Sequence, residues 1–172
     1  MTERLPVWIA VLYLIAGAGS FLELCDAPDL ACEVTLQPLR RFDLDAAIVF
    51  ADILLVPRAL GCGLTFREGE GPVLSRIASA ADVAGLRRDG MVERLAAVYE
   101  TIGQVKAALP GHVALIGFCG APWTVASYMI EGGTSSDRAL ARRAAHERQP
   151  WFDELIELLT ETACEYLARQ IE

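Results

Sequence analysis

The sequence predicts an α/β fold with parallel strands. Two continuous apolar segments typical of buried strands, residues 46–57 and 112–120, alternate with long amphipathic segments typical of helices. This number of strands is low both for a doubly wound sheet and for a complete (β/α)₈ barrel, which takes at least about 200 residues. Because the last helical pattern runs to the final residue, we expect the 172 residues to form part of a larger domain.

Composition narrows the classes of function. The net charge of −8 argues against nucleic-acid binding and requires a local basic site for any polyanionic substrate. The five cysteines form no C-x-x-C pair, and only two histidines are present, so no metal site is predicted. Reduced cysteines in a cytosolic protein are the simpler interpretation.

The opening apolar run, residues 5–15, allows three interpretations. It follows Arg4 and precedes Ala16-Gly17-Ala18, which outlines a signal peptide. It is too short for a membrane span, which needs about 20 apolar residues. A buried segment of a soluble protein is the third interpretation, and composition leaves the choice open.

The first half of the chain predicts a helix, a strand and a hairpin. The helix covers residues 30–42, with Asp29 as N-cap and Pro38 ending or kinking it. Residues 46–57 read as a strand buried on both faces. Short apolar ends around a Gly-rich centre predict a hairpin or ordered loop at residues 64–74.

The second half is predicted to be mostly helical. Ser79 and Asp82 resemble a capping box that opens a short helix, and residues 91–109 form one amphipathic helix. After the strand at residues 112–120, helices are expected at 124–130 and 138–147. Pro150 suits the first position of a final helix.

Asp52 is the most informative single residue. A carboxylate inside a buried strand is costly unless it is paired, and alternation places it on the face of Ile48 and Phe50. In a barrel it would lie near the carboxyl end of its strand, where barrel active sites occur. A structural aspartate that caps a loop or pairs with an arginine is the alternative.

Residues 117–133 read as strand, tight loop, helix and Gly loop. Gly117 and Gly120 permit close backbone approach, but no established phosphate-binding pattern is present. Tyr128 either extends its phenol into a cleft or is an ordinary core tyrosine. His112 and His146 are expected to be structural or solvated, and no Ser-His-Asp or Cys-His arrangement is recognisable.

Four segments together resemble the uroporphyrinogen decarboxylase family, in the family's order and at about its spacing. They are GSFLELC (19–25), EVTLQPLRRFDLDAAIVFADILLVPRALG (33–61), EGEGPVL (68–74) and GFCGAPWTVASYMIEGG (117–133). The resemblance implies that residues 1–172 are a single incomplete domain, the N-terminal half of a (β/α)₈ TIM barrel. It also implies a cytoplasmic homodimer without cofactor, nucleic acid or membrane, which converts uroporphyrinogen to coproporphyrinogen by removing four acetate carboxylates.

The resemblance also implies roles for four residues. Asp52 maps onto the family aspartate that hydrogen-bonds the pyrrole N–H groups, and Tyr128 onto a tyrosine that contacts the substrate. Ile48 and Phe118 map onto apolar positions that line the pocket.

One part of the family pattern is missing from this sequence. Arginines between the family's V-W and A-G-S-F motifs hold the substrate carboxylates, whereas residues 9–15 contain none. We therefore expect little decarboxylase activity from this chain. An inactive fragment or a half-barrel that needs a partner is one alternative, and a cobalamin-linked methyltransferase relative is a less favoured one. Because the resemblance begins at Val7-Trp8, we expect no removable leader.

Overall fold

The computed structural model describes residues 19–67 and 69–172. The predictions for residues 5–15 lie outside this part. The helices are α1 (Phe21–Cys25), α2 (Pro28–Leu36), α3 (Leu55–Ala59), α4 (Ala80–Ala84), α5 (Met91–Arg94), α6 (Ala96–Ala108), α7 (Pro122–Glu131), α8 (Ala139–His146) and α9 (Pro150–Ile171). The strands are β1 (Ala46–Ile48), β2 (Leu64–Arg67), β3 (Gly71–Leu74) and β4 (Ala114–Ile116).

The described chain divides into two compact units. Unit 1 comprises residues up to Asp52 together with Ala96–Phe118, and unit 2 comprises Ile53–Leu95 and Cys119–Gln170, with the last two residues divided between them.

Unit 1 contains the parallel strand pair that the sequence predicts. β1 and β4 pair in parallel, with Ala46 opposite Ala114 and Ile48 opposite Ile116. Helix α2 packs against both β1 and α6.

The expectation that these strands are buried on both faces is wrong. Ala47 and Val49 are buried, but the alternate residues Ile48 and Ile116 are 63% and 46% exposed. Helices therefore cover one face of the pair, and the other face presents apolar side chains.

The predicted strand over residues 46–57 is also too long. β1 ends at Ile48, and Leu55–Ala59 forms helix α3. Pro57 stands in the first turn of α3, where its missing N–H is not needed. A continuous apolar run is compatible with a buried strand and with a buried helix, so periodicity could not separate them.

Unit 2 contains the predicted hairpin, which follows α3 along the chain. β2 and β3 pair antiparallel from Leu64 opposite Leu74 to Arg67 opposite Gly71. The capping box is confirmed: Ser79 Oγ accepts the N–H of Asp82 at 3.3 Å and donates to its Oδ2 at 2.7 Å. These and a neighbouring backbone hydrogen bond lower the pKa of Asp82. Pro150 occupies the first turn of α9, as expected.

Two helix predictions need correction. The segment 91–109 forms two helices, α5 and α6, because Leu95 leaves helical geometry at φ −103°. Buried apolar residues occur on both sides of this break: Met91, Leu95, Val98 and Val105. The apolar pattern of the sequence is therefore continuous and does not indicate where the helix is interrupted. Helix α2 ends at Leu36, and Ala27 is its N-cap, with Asp29 in the first turn.

Candidate functional site

In unit 1, three of the predicted site residues lie at or beyond the carboxyl ends of the paired strands. Ile48 is the last residue of β1, Asp52 lies in the connection from β1 to α3, and Phe118 follows β4 by two residues. Since β1 and β4 are parallel, their carboxyl ends share an edge of the sheet. Asp52 and Phe118 are half-buried, while Ile48 is exposed. Asp52 thus lies in a loop rather than inside a strand.

The backbone just before Asp52 is tied to helix α2. The N–H of Phe50 donates to Thr35 Oγ1 at 2.9 Å, and the Thr35 hydroxyl donates to the carbonyl of Ala31 at 2.8 Å. The rings of Phe50 and Phe21 pack edge to face with centroids 5.8 Å apart. Val49 adds a backbone hydrogen bond to Ile116 at 3.0 Å. These contacts fix the chain two and three residues before Asp52.

Sequence reasoning missed Thr35. It is only 5% exposed, and its hydroxyl satisfies the backbone donor of a chain segment fifteen residues away. The available signal was a hydroxyl residue in the buried part of an amphipathic helix, where a polar group needs a partner.

In unit 2, Tyr128 lies on α7 beside a small pocket. The pocket measures about 20 Å³ and is lined by Ser127, Tyr128, Glu131, Gly133, Ser135 and Arg138. Tyr128 is half-buried, so it belongs to the rim of this pocket rather than to the core. Its backbone carbonyl accepts the N–H groups of Gly132 and Gly133 at 2.9 and 3.0 Å and so ends the helix.

The two glycines after α7 are required by close approaches. Gly132 has φ +80°, and a Cβ there would lie 2.5 Å from Cγ of Arg76. A Cβ on Gly133 would lie 2.7 Å from the carbonyl oxygen of Pro72. The loop therefore passes directly over strand β3, which it also joins through a bridge between Val73 and Gly133.

Cys119 stands in sequence between the two parts of the predicted site. Its burial, and to a smaller extent the proximity of Cys164, raise the pKa of the Cys119 thiol. It is therefore a neutral thiol near neutral pH rather than a nucleophilic thiolate. None of the five cysteines, which all lie within the described residues, forms a disulfide bond.

His112 and His146 are exposed, which agrees with a solvated role. Within residues 19–67 and 69–172, His, Cys, Asp and Glu form no group of three or more able to hold a metal ion. None of the helices described is both long enough and apolar enough to cross a membrane.

Comparison with known proteins tests the resemblance. A family model for uroporphyrinogen decarboxylase matches residues 1–172. A uroporphyrinogen decarboxylase of Rhodospirillum rubrum is 51% identical over 155 residues, covering 90% of this chain and 44% of the relative. One from Cereibacter sphaeroides is 52% identical over 158 residues, covering 91% of this chain and 46% of the relative.

A solved structure shares the fold. A methyltransferase from Methanosarcina mazei superposes with a TM-score of 0.70 at 16% identity, covering 93% of this chain and 47% of that one. At this identity the likeness concerns the fold alone. The chain spans about half the length of the curated relatives it matches. Because the family model matches every residue, the chain belongs to the uroporphyrinogen decarboxylase family.

Proposed function

We propose that this chain acts in the decarboxylation of uroporphyrinogen to coproporphyrinogen, with Asp52 as its catalytic carboxylate. The observation that carries the proposal is the place of Asp52 in a member of this family: it lies in the connection that follows β1, beyond the edge where the paired parallel strands end. Active sites of α/β barrels occur at this end of the strands.

The chemistry needs an anion near the pyrrole rings. Protonation of a pyrrole makes the ring cationic. When the acetate C–C bond breaks, its electron pair moves into that ring and CO₂ leaves. The side-chain carbon then takes up a proton to become methyl, and the ring releases its own. Each acetate therefore consumes one proton and yields one CO₂. A carboxylate facing the ring N–H groups stabilises the cation more than the neutral pyrrole, which lowers the barrier.

The remaining predicted residues suit this function as pocket walls. Ile48 ends β1 and Phe118 follows β4 at the same strand edge, and Tyr128 lines a small pocket. The exposed apolar face of β1 and β4 suits the inner wall of a (β/α)₈ barrel. We therefore propose that residues 1–172 form the N-terminal half of such a barrel as a single incomplete domain.

The surroundings of the reaction are part of the proposal. The net charge of −8 supports a small-molecule substrate rather than nucleic acid as the partner. Five cysteines without a disulfide bond support a cytoplasmic location. A homodimer follows from the family resemblance. Methyl transfer is less well supported, since it rests on a likeness of fold at 16% identity.

The test measures binding and turnover of uroporphyrinogen under anaerobic conditions, beside the R. rubrum relative as a positive control. We expect the chain to bind uroporphyrinogen but to turn it over far more slowly than the relative, because residues 9–15 contain no arginine. Asp52→Asn removes a charge-assisted hydrogen-bond acceptor and should weaken binding about tenfold to a hundredfold.

Asp45→Asn is the matched control. Asp45 is exposed and precedes β1, at the opposite end of the strand. The Asp45→Asn substitution should leave uroporphyrinogen binding unchanged. Failure of the parent chain to bind uroporphyrinogen, or equal binding by the Asp52→Asn and parent proteins, would contradict the proposed function. Binding with no turnover would favour a half-barrel that needs a partner.

A further inference from the structure

One of the residues that line the pocket beside Tyr128 carries a positive charge. Arg138 is half-buried and lines this pocket together with Glu131 and Ser135. Among the described residues, no hydrogen-bond acceptor or carboxylate engages its guanidinium. The chain has 23 acidic and 15 basic residues, so a polyanionic ligand depends on local cations such as this one. By contrast, Arg40 and Arg88 both pair with glutamates.

The loop before α8 holds Arg138 in an unfavourable backbone conformation. Its φ of 51° and ψ of 41° are left-handed, which is uncommon for a residue other than glycine. Ser135 Oγ accepts the N–H of Arg138 at 3.0 Å, and Asp137 Oδ1 accepts from the Ser135 hydroxyl at 3.3 Å. Asp137 Oδ1 also accepts the N–H of Ala139 at 3.2 Å. The acid next to Arg138 in sequence is thus engaged within the loop and leaves the guanidinium unneutralised.

Glu131 is the other charged residue of the pocket. Its Oε1 accepts the backbone N–H of Ala141 at 3.0 Å, which anchors the carboxylate to the first turn of α8. It lies beyond 4.0 Å from the guanidinium of Arg138, since no ion pair joins the two. The volume of about 20 Å³ suits a single oxygen atom, because a cavity needs roughly 10–15 Å³ to hold one water.

We propose that Arg138 binds a carboxylate of the substrate beside Tyr128. This inference rests on the proposed function and adds a binding residue to it. One carboxylate oxygen enters the pocket while the other stays at its mouth, and the guanidinium donates to the carboxylate. The phenol of Tyr128 supplies a second donor on the same rim. Arg138 thereby meets the need for a local basic site that the net charge of −8 imposes.

The test titrates the full chain with uroporphyrin, which carries eight carboxylates, at physiological salt, and follows the porphyrin fluorescence. Arg138→Gln should weaken binding about tenfold to a hundredfold, because a charge-assisted hydrogen bond is lost. Arg138→Lys keeps the positive charge but lacks the planar guanidinium with its paired donors, so its loss of affinity should be smaller. Thermal unfolding of each variant shows that the fold is retained.

Arg148→Gln is the matched control. Arg148 also has φ 51°, is exposed, and does not line the pocket. It removes the same charge and should change the affinity less than twofold. If the parent binds and Arg138→Gln binds equally well, the role of Arg138 is overturned while the proposed function stands. If the parent does not bind uroporphyrin, the role of Arg138 is overturned, and the uroporphyrinogen titration alone decides the proposed function.

Discussion

The Asp52 connection and the Tyr128 pocket are held in place by different kinds of contact. In unit 1, a hydroxyl that is 5% exposed and a pair of aromatic rings fix the chain before Asp52. In unit 2, hydrogen bonds of a polar loop with half-buried and exposed residues shape the pocket beside Tyr128. The position of Asp52 therefore depends on core packing, whereas the pocket wall depends on surface hydrogen bonds.

The candidate residues of one chain are therefore positioned in two ways, by core packing near Asp52 and by loop hydrogen bonds near Tyr128. Substitutions in the core of unit 1 should lower the stability and at the same time displace the Asp52 connection. Substitutions in the loop of unit 2 should change ligand affinity with a small effect on stability. Three substitutions test or refine this contrast.

The largest effect on stability is expected from Gly120→Ala. A large loss would show that the start of helix α7, in unit 2, is also held by tight core packing. A Cβ on Gly120 would lie 2.5 Å from Cγ2 of Val125 and 2.9 Å from Cβ of Ile53. We expect the free energy of unfolding to fall by about 3 kcal/mol, at the upper end for overpacking. Chemical denaturation measures it.

Gly103→Ala is the control for the glycine substitution. Nothing lies within 4 Å of a Cβ on Gly103, which is inside α6. This change should stabilise the chain by up to about 1 kcal/mol through helix propensity. A Gly120→Ala protein as stable as the parent would contradict the tight packing at the start of α7.

An intermediate effect is expected from Thr35→Val. The N–H of Phe50 would lose its acceptor, and a buried donor without a partner costs about 1–3 kcal/mol. Amide hydrogen exchange at Phe50 should accelerate by more than the global loss of stability explains. Thr35→Ser keeps the hydroxyl and should restore the slow exchange.

Thr101→Val serves as the matched control for Thr35. Thr101 is 1% exposed, and its hydroxyl donates only within its own helix, to Ala97 at 2.8 Å. Its replacement should cost less than about 1 kcal/mol, because no distant donor is left unpaired. Equal losses of stability for Thr35→Val and Thr101→Val would contradict the role of Thr35 as the acceptor for the N–H of Phe50.

The smallest effect is expected from Glu33→Gln on α2. Arg40 donates to both carboxylate oxygens, at 2.6 and 2.8 Å, and these hydrogen bonds hold the pKa of Glu33 below its ordinary value. Both side chains are at least 36% exposed, so solvent screening limits the loss at pH 7 to about 0.5 kcal/mol.

The pH dependence gives the sign of this contribution. A depressed pKa in the folded state stabilises the protein above the unfolded pKa, near 4.5, and this stability is lost as the pH falls through the folded pKa. The difference between parent and Glu33→Gln should therefore vanish in acid. Glu70→Gln is the control, because Glu70 pairs with Arg67 at 3.4 Å and both side chains are more exposed. Its free energy of unfolding should differ little from that of the parent at any pH.

Local chemistry made several features predictable. The hairpin at residues 64–74, the Ser79 capping box and the start of α9 at Pro150 each depend on residues close in sequence, and each was confirmed. The family was also predictable, since long motifs carry it. Arg138 was not singled out, because the sequence does not show which neighbouring acids are already engaged.

The sequence by itself determined the α/β class, the family and the identity of the candidate residues, because composition, periodicity and motifs report these directly. Only the tertiary structure decided that residues 46–57 divide into β1 and α3, that one face of β1 and β4 is exposed, and that Thr35 anchors Phe50. The physical reason is that an apolar pattern favours burial without selecting the backbone conformation. Burial and hydrogen bonding between distant residues arise only once the chain has folded.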